Sequence, residues 1–212
     1  MTKRTFGFNT ATLATAKPLL EEGIYTGTMV GASVVGKENK QHIAIVKETE
    51  WNKNSKEFVE TGEWIIEGNI YFGVALDDAK AIEQLQQDEP RVYGGRIRLN
   101  FHKEELTLLD NYVLGAWLEA LGLHEINFEE SVDFDYNDDI EVPEELAQVP
   151  NIVDMLNSLE YQRNMFGIIC ESANNTPVRV SVLKQPNYKT KEPENVINTG
   201  NYGSFCGILA AE

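Results

Sequence analysis

Two hydrophobic periods meet in the middle of the chain. From Arg96 to His102 the side chains alternate: Ile97, Leu99 and Phe101 are apolar, while Arg96, Arg98, Asn100 and His102 are polar. A two-residue period marks a strand buried on one face only. Just beyond it the period lengthens. Val113, Leu114, Trp117, Leu118 and Leu121 fall on one helical stripe, with Asp110 or Asn111 able to cap its start and Gly122 just past its end. A strand with a basic face, followed by a helix that seals a core, is the unit the other elements must fit.

The same periods elsewhere predict a mainly β chain. IYTGTMVGASVVG, after Gly23, reads as a strand bent at its glycines, and His42–Trp51 as a second strand. WNKNSKEFVETGEW is polar and turn-rich, as a flexible hairpin tip would be, so the third strand is expected over Trp64–Leu76. Asp77–Gln87 reads as a short helix ended by Pro90. Later come a short helix over Asn151–Leu159 and strands over Phe166–Glu171 and Val178–Lys184, with the turn signal Asn174–Pro177 between those two strands. GSFCGILAA supplies a closing strand. Residues 1–17, rich in Thr and Ala, read as an N-terminal arm. Residues 18–212 then form one domain: five or six curved strands with inserted helices (α+β), the pattern of a small Greek-key barrel.

Composition narrows the class. A chain of 212 residues, 42% hydrophobic, can bury a sizeable core. No apolar run approaches the roughly 20 residues of a membrane span, and the first residues lack the apolar centre of a signal peptide. Cys170 and Cys206 lie 36 residues apart in apolar surroundings, without metal-ligand spacing. They read as buried thiols of a reducing compartment, so a cytoplasmic location is expected.

The formal net charge is −16, which is unlike a typical nucleic-acid binder. Its distribution changes the picture. Glu125–Glu145 holds ten acidic residues and no Lys or Arg, inside an acidic insertion at about 125–148. Ser172–Lys191 holds four cations, Arg179, Lys184, Lys189 and Lys191, and no acid. Such segregation fits a polyanion-binding face beside an acidic appendage, and equally a solvated acidic loop beside a chance gap.

Catalytic patterns are missing. The sequence has no GxxxxGK[ST] loop, no GxGxxG after a strand and no GxSxG elbow. His42, His102 and His124 have no HExxH or cysteine partners for zinc. The aspartates at 133, 135, 138 and 139 lack the glycine and the closing glutamate of a calcium loop. The expectation is a protein that is not an enzyme and needs no metal or cofactor.

Binding single-stranded nucleic acid needs cations along the backbone and flat aromatic faces for the bases. Arg96, Arg98 and His102 offer one strand of such a face, with Tyr93 at its entry. Arg179, Lys184, Tyr188 and Lys189 offer a second, and Trp51, Lys53 and Lys56, with Phe58, stand where a lid would lie. Each has a plainer reading. Trp64 and Trp117 read as core, Trp51 as either core or surface, and Tyr93 beside Gly94 and Gly95 as the aromatic rim of a turn. Arg96 and Arg98 on one face repel unless an anion neutralises them, whether a ligand or the chain's own acids.

Four stretches carry a resemblance: LLEEGIYTGTMVGASVV, the GRIRLNF strand, the NYVLGAWLEALGL helix, and VRVSVLKQPNYKTKEPENVIN. Together the chain resembles phage-encoded single-stranded DNA-binding proteins and their uncharacterised relatives over about two-thirds of its length. The resemblance implies an OB-type barrel that coats single strands during phage replication and recombination. Many such proteins end in an acidic tail that recruits replication partners, whereas this chain ends NTGNYGSFCGILAAE. Segment 125–145 would then take over the recruiting of phage or host replication and recombination proteins, or that role is absent. A homodimer is compatible with this picture. Two other functions fit the acidity: an interaction protein that mimics DNA or inhibits a host DNA-binding factor, and a virion or assembly component.

Overall fold

The computed structural model describes residues 18–36, 40–123, 141–187, 189–199 and 206–211. The N-terminal arm, residues 124–140 of the acidic insertion and Tyr188 lie outside the described residues. The fold is mainly β. Among the described residues seven strands form one sheet: β1 (Gly23–Ser33), β2 (Ile43–Asn52), β3 (Glu57–Leu76), β4 (Arg91–Asn100), β5 (Pro177–Pro186), β6 (Pro193–Ile197) and β7 (Ile208–Ala210). Three α-helices accompany them among the described residues: α1 (Ala79–Leu85), α2 (Tyr112–Ala120) and α3 (Ile152–Ala173).

The pairings close a ring of five strands. β1 pairs antiparallel with β3 and β5, β3 pairs with β4, and β5 pairs with β6. A single parallel bridge, Tyr93 to Val196, joins β4 to β6 and completes the circuit. β2 and β7 attach outside it, to β3 and β5. The inward residues make the core: Tyr25 and Met29 of β1, Ile70, Phe72 and Val74 of β3, Ile97 and Leu99 of β4, and Val178, Val180 and Val182 of β5. Hydrophobic burial of this kind is the main term holding the ring together.

The helices follow from local chemistry. Asn111 caps α2, its side chain accepting from the Leu114 N–H, and the helix stops at Gly122, where φ is +69°. Trp117 is 0% exposed and packs on Phe72, ring centroids 5.6 Å apart. Asp78 caps α1 through the Lys80 N–H.

Two expectations are corrected. The helix expected to end at Leu159 continues to Ala173 and absorbs the strand expected over Phe166–Glu171. The apolar run Phe166–Cys170 carries no period of its own. Its buried members Phe166, Ile169, Cys170 and Ala173 continue the helical series begun by Met155, Leu159 and Gln162. The third strand starts at Glu57 rather than Trp64, so the hairpin tip shrinks to residues 53–56 and a long two-stranded arm stands beyond the ring. Every residue from Trp51 to Glu63 is exposed, so the arm has no alternation to read.

The arm's base is clamped from the loop after β4. Lys103 Nζ reaches Glu63 at 2.7 Å and Glu48 at 2.9 Å, and the Thr61 hydroxyl donates to Glu48 at 2.7 Å. Hydrogen bonds from Lys103 and then Thr61 hold the Glu48 carboxyl below its ordinary pKa. A depressed carboxylate stabilises the fold above its unfolded-state pKa, and that contribution fades as pH falls through the lowered value. Cys170 and Cys206 are buried free thiols, the first pushed up to about 12 by burial.

β3 and β4 touch closely at Gly95, whose missing Cβ leaves room for the ring of buried Phe72. Gly95→Ala drives a methyl group into that ring and is expected to destabilise the fold by about 1–3 kcal/mol, read as a lowered midpoint in chemical denaturation. An unchanged midpoint would show that Phe72 has room to move.

Candidate nucleic-acid interface

The outward residues of β3 and β4 face solvent together. Register sets Tyr71 opposite Arg96, Asn69 opposite Arg98 and Glu67 opposite Asn100. Each arginine then reaches diagonally, two residues back along β3. Arg96 Nε donates to Asn69 Oδ1 at 2.7 Å, and Arg98 Nη2 pairs with Glu67 Oε1 at 3.0 Å. The difference matters electrostatically. Arg96 leans on a neutral amide, with its guanidinium 5.9 Å from the centre of the Tyr71 ring, and keeps its charge uncompensated. Arg98 is neutralised by a carboxylate of the chain's own strand β3. The two arginines predicted as equals are therefore unequal.

Three rings lie on or beside this face, Tyr71 next to Arg96. Tyr93, 55% exposed, lies over Gly73, where an added Cβ would come within 2.6 Å of its ring. Tyr71, two positions from Gly73 on β3, is 36% exposed. His42, just before β2, packs tilted against Tyr71 with centroids 4.4 Å apart, and burial lowers its pKa. The outer face thus carries Tyr71 with His42 and Arg96 against it, and Tyr93 over Gly73, with Arg91 beside Tyr93. Arg91 also makes a long ion pair, 3.6 Å, with Glu89. No protein-family profile matches the chain, and no curated protein does.

Among the predicted residues, Arg96 and Arg98 lie on the exposed side of β4, as the alternation required, and His102 is exposed just past its end. Tyr93, of opposite parity to Arg96, is exposed because the alternation breaks at Gly94, where φ is +92° and the β3–β4 register shifts. Trp51, Lys53 and Lys56 lie at the end of the arm instead, where Trp51 and Phe58 meet edge to face at 5.1 Å. Both are open to solvent, Trp51 at 52% and Phe58 at 70%. The ladder shifts register between Lys47 and Thr49, so the arm is not a simple continuation of the aromatic face. Arg179 pairs with Thr26 and Leu209 across β1 and β7, and its Nε donates to the Ala210 carbonyl at 3.0 Å. It lies two strands from β4 around the ring and does not join the aromatic face. Lys184 stands exposed opposite Asn195, and Lys189 in the loop between β5 and β6.

Sequence reasoning missed Tyr71, His42 and Asn69. One signal was available: Glu67, Asn69 and Tyr71 share the outward parity of β3, against buried Ile66, Ile70 and Phe72. Their meeting with β4 depends on register, which parity alone does not give. Among the described residues, no three His, Cys, Asp or Glu side chains gather as a metal site, and no helix is long and apolar enough to cross a membrane.

Proposed function

We propose that the protein is a non-enzymatic, largely sequence-tolerant binder of single-stranded DNA, with the five-strand ring acting as an OB-type barrel. The observation that carries this reading is the exposed rings of Tyr93 and Tyr71 on the face of β3 and β4, with Arg96 against Tyr71 and bound to a neutral amide, not to an acid. Exposed rings cost little to leave in water and gain about 1–3 kcal/mol per stacked base, and every base has a face to stack. Arg96 supplies the phosphate contact. Service in phage DNA replication or recombination, inside the host cytoplasm, rests on the sequence resemblance. Recruitment of replication proteins is assigned to the acidic segment.

The experiment is a titration with labelled oligo-dT at several salt concentrations. Each phosphate contact on a single strand contributes about −0.7 to the slope of log K against log salt. Arg96→Ala is expected to weaken binding and reduce that slope by about 0.7. Arg98→Ala should change it less, because Glu67 already compensates that charge. Unchanged affinity and slope in the double variant would remove this face from the site.

A protein partner for the arm is the second reading, and Phe58 favours it. Exposed Phe58, Trp51 and Val59 stand among Glu50, Glu57 and Glu60, which repel phosphates but not a basic protein surface. Phe58→Ala that leaves DNA affinity intact would assign the arm to that partner.

A further inference from the structure

Past Arg98 the outer face of β3 and β4 deepens into a cleft of about 400 Å³. Glu67, Arg98, Asn100 and His102 form its polar side, and Ile65 and Leu109 contribute apolar surface. Glu48 and Lys103 also border it, but each is engaged by the other. The polar side is open. Glu67 pairs with Arg98, and the side chains of Asn100 and His102 have no protein partner among the described residues. Glu67 is held in place, its side chain only 31% exposed.

A carboxylate fixed in a face suited to phosphates works against the strand's backbone. It can, however, accept N–H groups from a base. Guanine alone presents two parallel N–H donors, N1–H and N2–H, beside an acceptor, O6. Thymine turns two carbonyl oxygens and a single N–H toward the same edge and is repelled. Glu67 and Asn100 are direct cross-strand partners, with Cβ atoms about 4.5–5.5 Å apart by the geometry of such pairs, a gap that one base edge bridges. We propose that this cleft reads guanine in a bound single strand: Glu67 accepts N1–H and N2–H, and Asn100 or Arg98 donates to O6. The inference rests on the single-strand reading of the face and adds a base preference to it.

The test uses the intact protein and labelled oligo-dT in which one central base is replaced by guanine, or by hypoxanthine, which lacks the N2 amine. One guanine is too few for quadruplex formation. Guanine is expected to tighten binding about tenfold, within the range of a good bidentate base contact. Hypoxanthine should lose most of that gain. In Glu67→Gln the guanine-to-thymine affinity ratio should fall to about one, a change that altered folding alone would not produce. A wild-type ratio near one, or a ratio that survives Glu67→Gln, overturns the proposal. Free GMP competing as well as the guanine oligomer overturns its strand-bound form in favour of a nucleotide site. If all-dT and guanine oligomers both fail to bind, the single-strand reading falls together with it, whereas all-dT binding without preference sinks this inference alone.

Discussion

Trp117→Ala is expected to lower the free energy of unfolding by about 3–5 kcal/mol, the cost of deleting a large buried aromatic side chain. The indole is fully buried on α2 and packs on Phe72, whose ring in turn backs onto Gly95 of β4. The cavity would thus open where α2 seals the ring, and those neighbours are too constrained to collapse into it. For a chain of this size the loss corresponds to a fall in Tm of roughly 6–20 °C, measurable by circular dichroism. Trp117→Phe should be milder. The indole Nε1–H is buried without a protein hydrogen-bond partner among the described residues, so its removal takes away an unmet polar group along with the lost area. A Trp117→Ala protein with wild-type Tm would mean that α2 does not seal the core.

The second large effect falls on binding. Tyr71→Ala and Tyr93→Ala should each weaken single-strand affinity by about 5- to 150-fold, the equivalent of one lost stack of about 1–3 kcal/mol. Their salt slopes should stay at the wild-type value, because stacking releases no counterions. That separates them from Arg96→Ala, which should alter the slope. Tyr71→Phe and Tyr93→Phe keep a flat face and should retain most of the affinity. Both tyrosines are at the surface, so the alanine variants should fold normally. Wild-type affinity in both would leave the aromatic face without a binding role.

What the sequence revealed depended on whether a residue's role was local. The alternation from Arg96 to His102 and the stripe from Val113 to Leu121 were readable, since burial on one face leaves a period in the chain itself. Asn111 and Gly122 were readable for the same reason, because caps act within a few residues. The arm was not: a ribbon exposed on all sides gives neither period, and Glu57–Glu63 looks like a loop. The C-terminal half of α3 was hidden by an apolar run, Phe166–Cys170, that serves a buried helix as well as a strand. The candidate site was half legible. Tyr93, Arg96 and Arg98 lie on one strand, but Tyr71, His42, Asn69 and Glu67 join them through the register of β2, β3 and β4. That register also decides which arginine's charge is left uncompensated, a distinction two same-face arginines in a sequence do not show.

The most direct measurement is an anisotropy titration of the intact protein with labelled oligo-dT and with duplex DNA of the same length, at low and at physiological salt. Saturable binding of the single strand, tighter than the duplex and weakening as salt rises, is the predicted result. No saturable binding of the single strand at low salt would contradict the account.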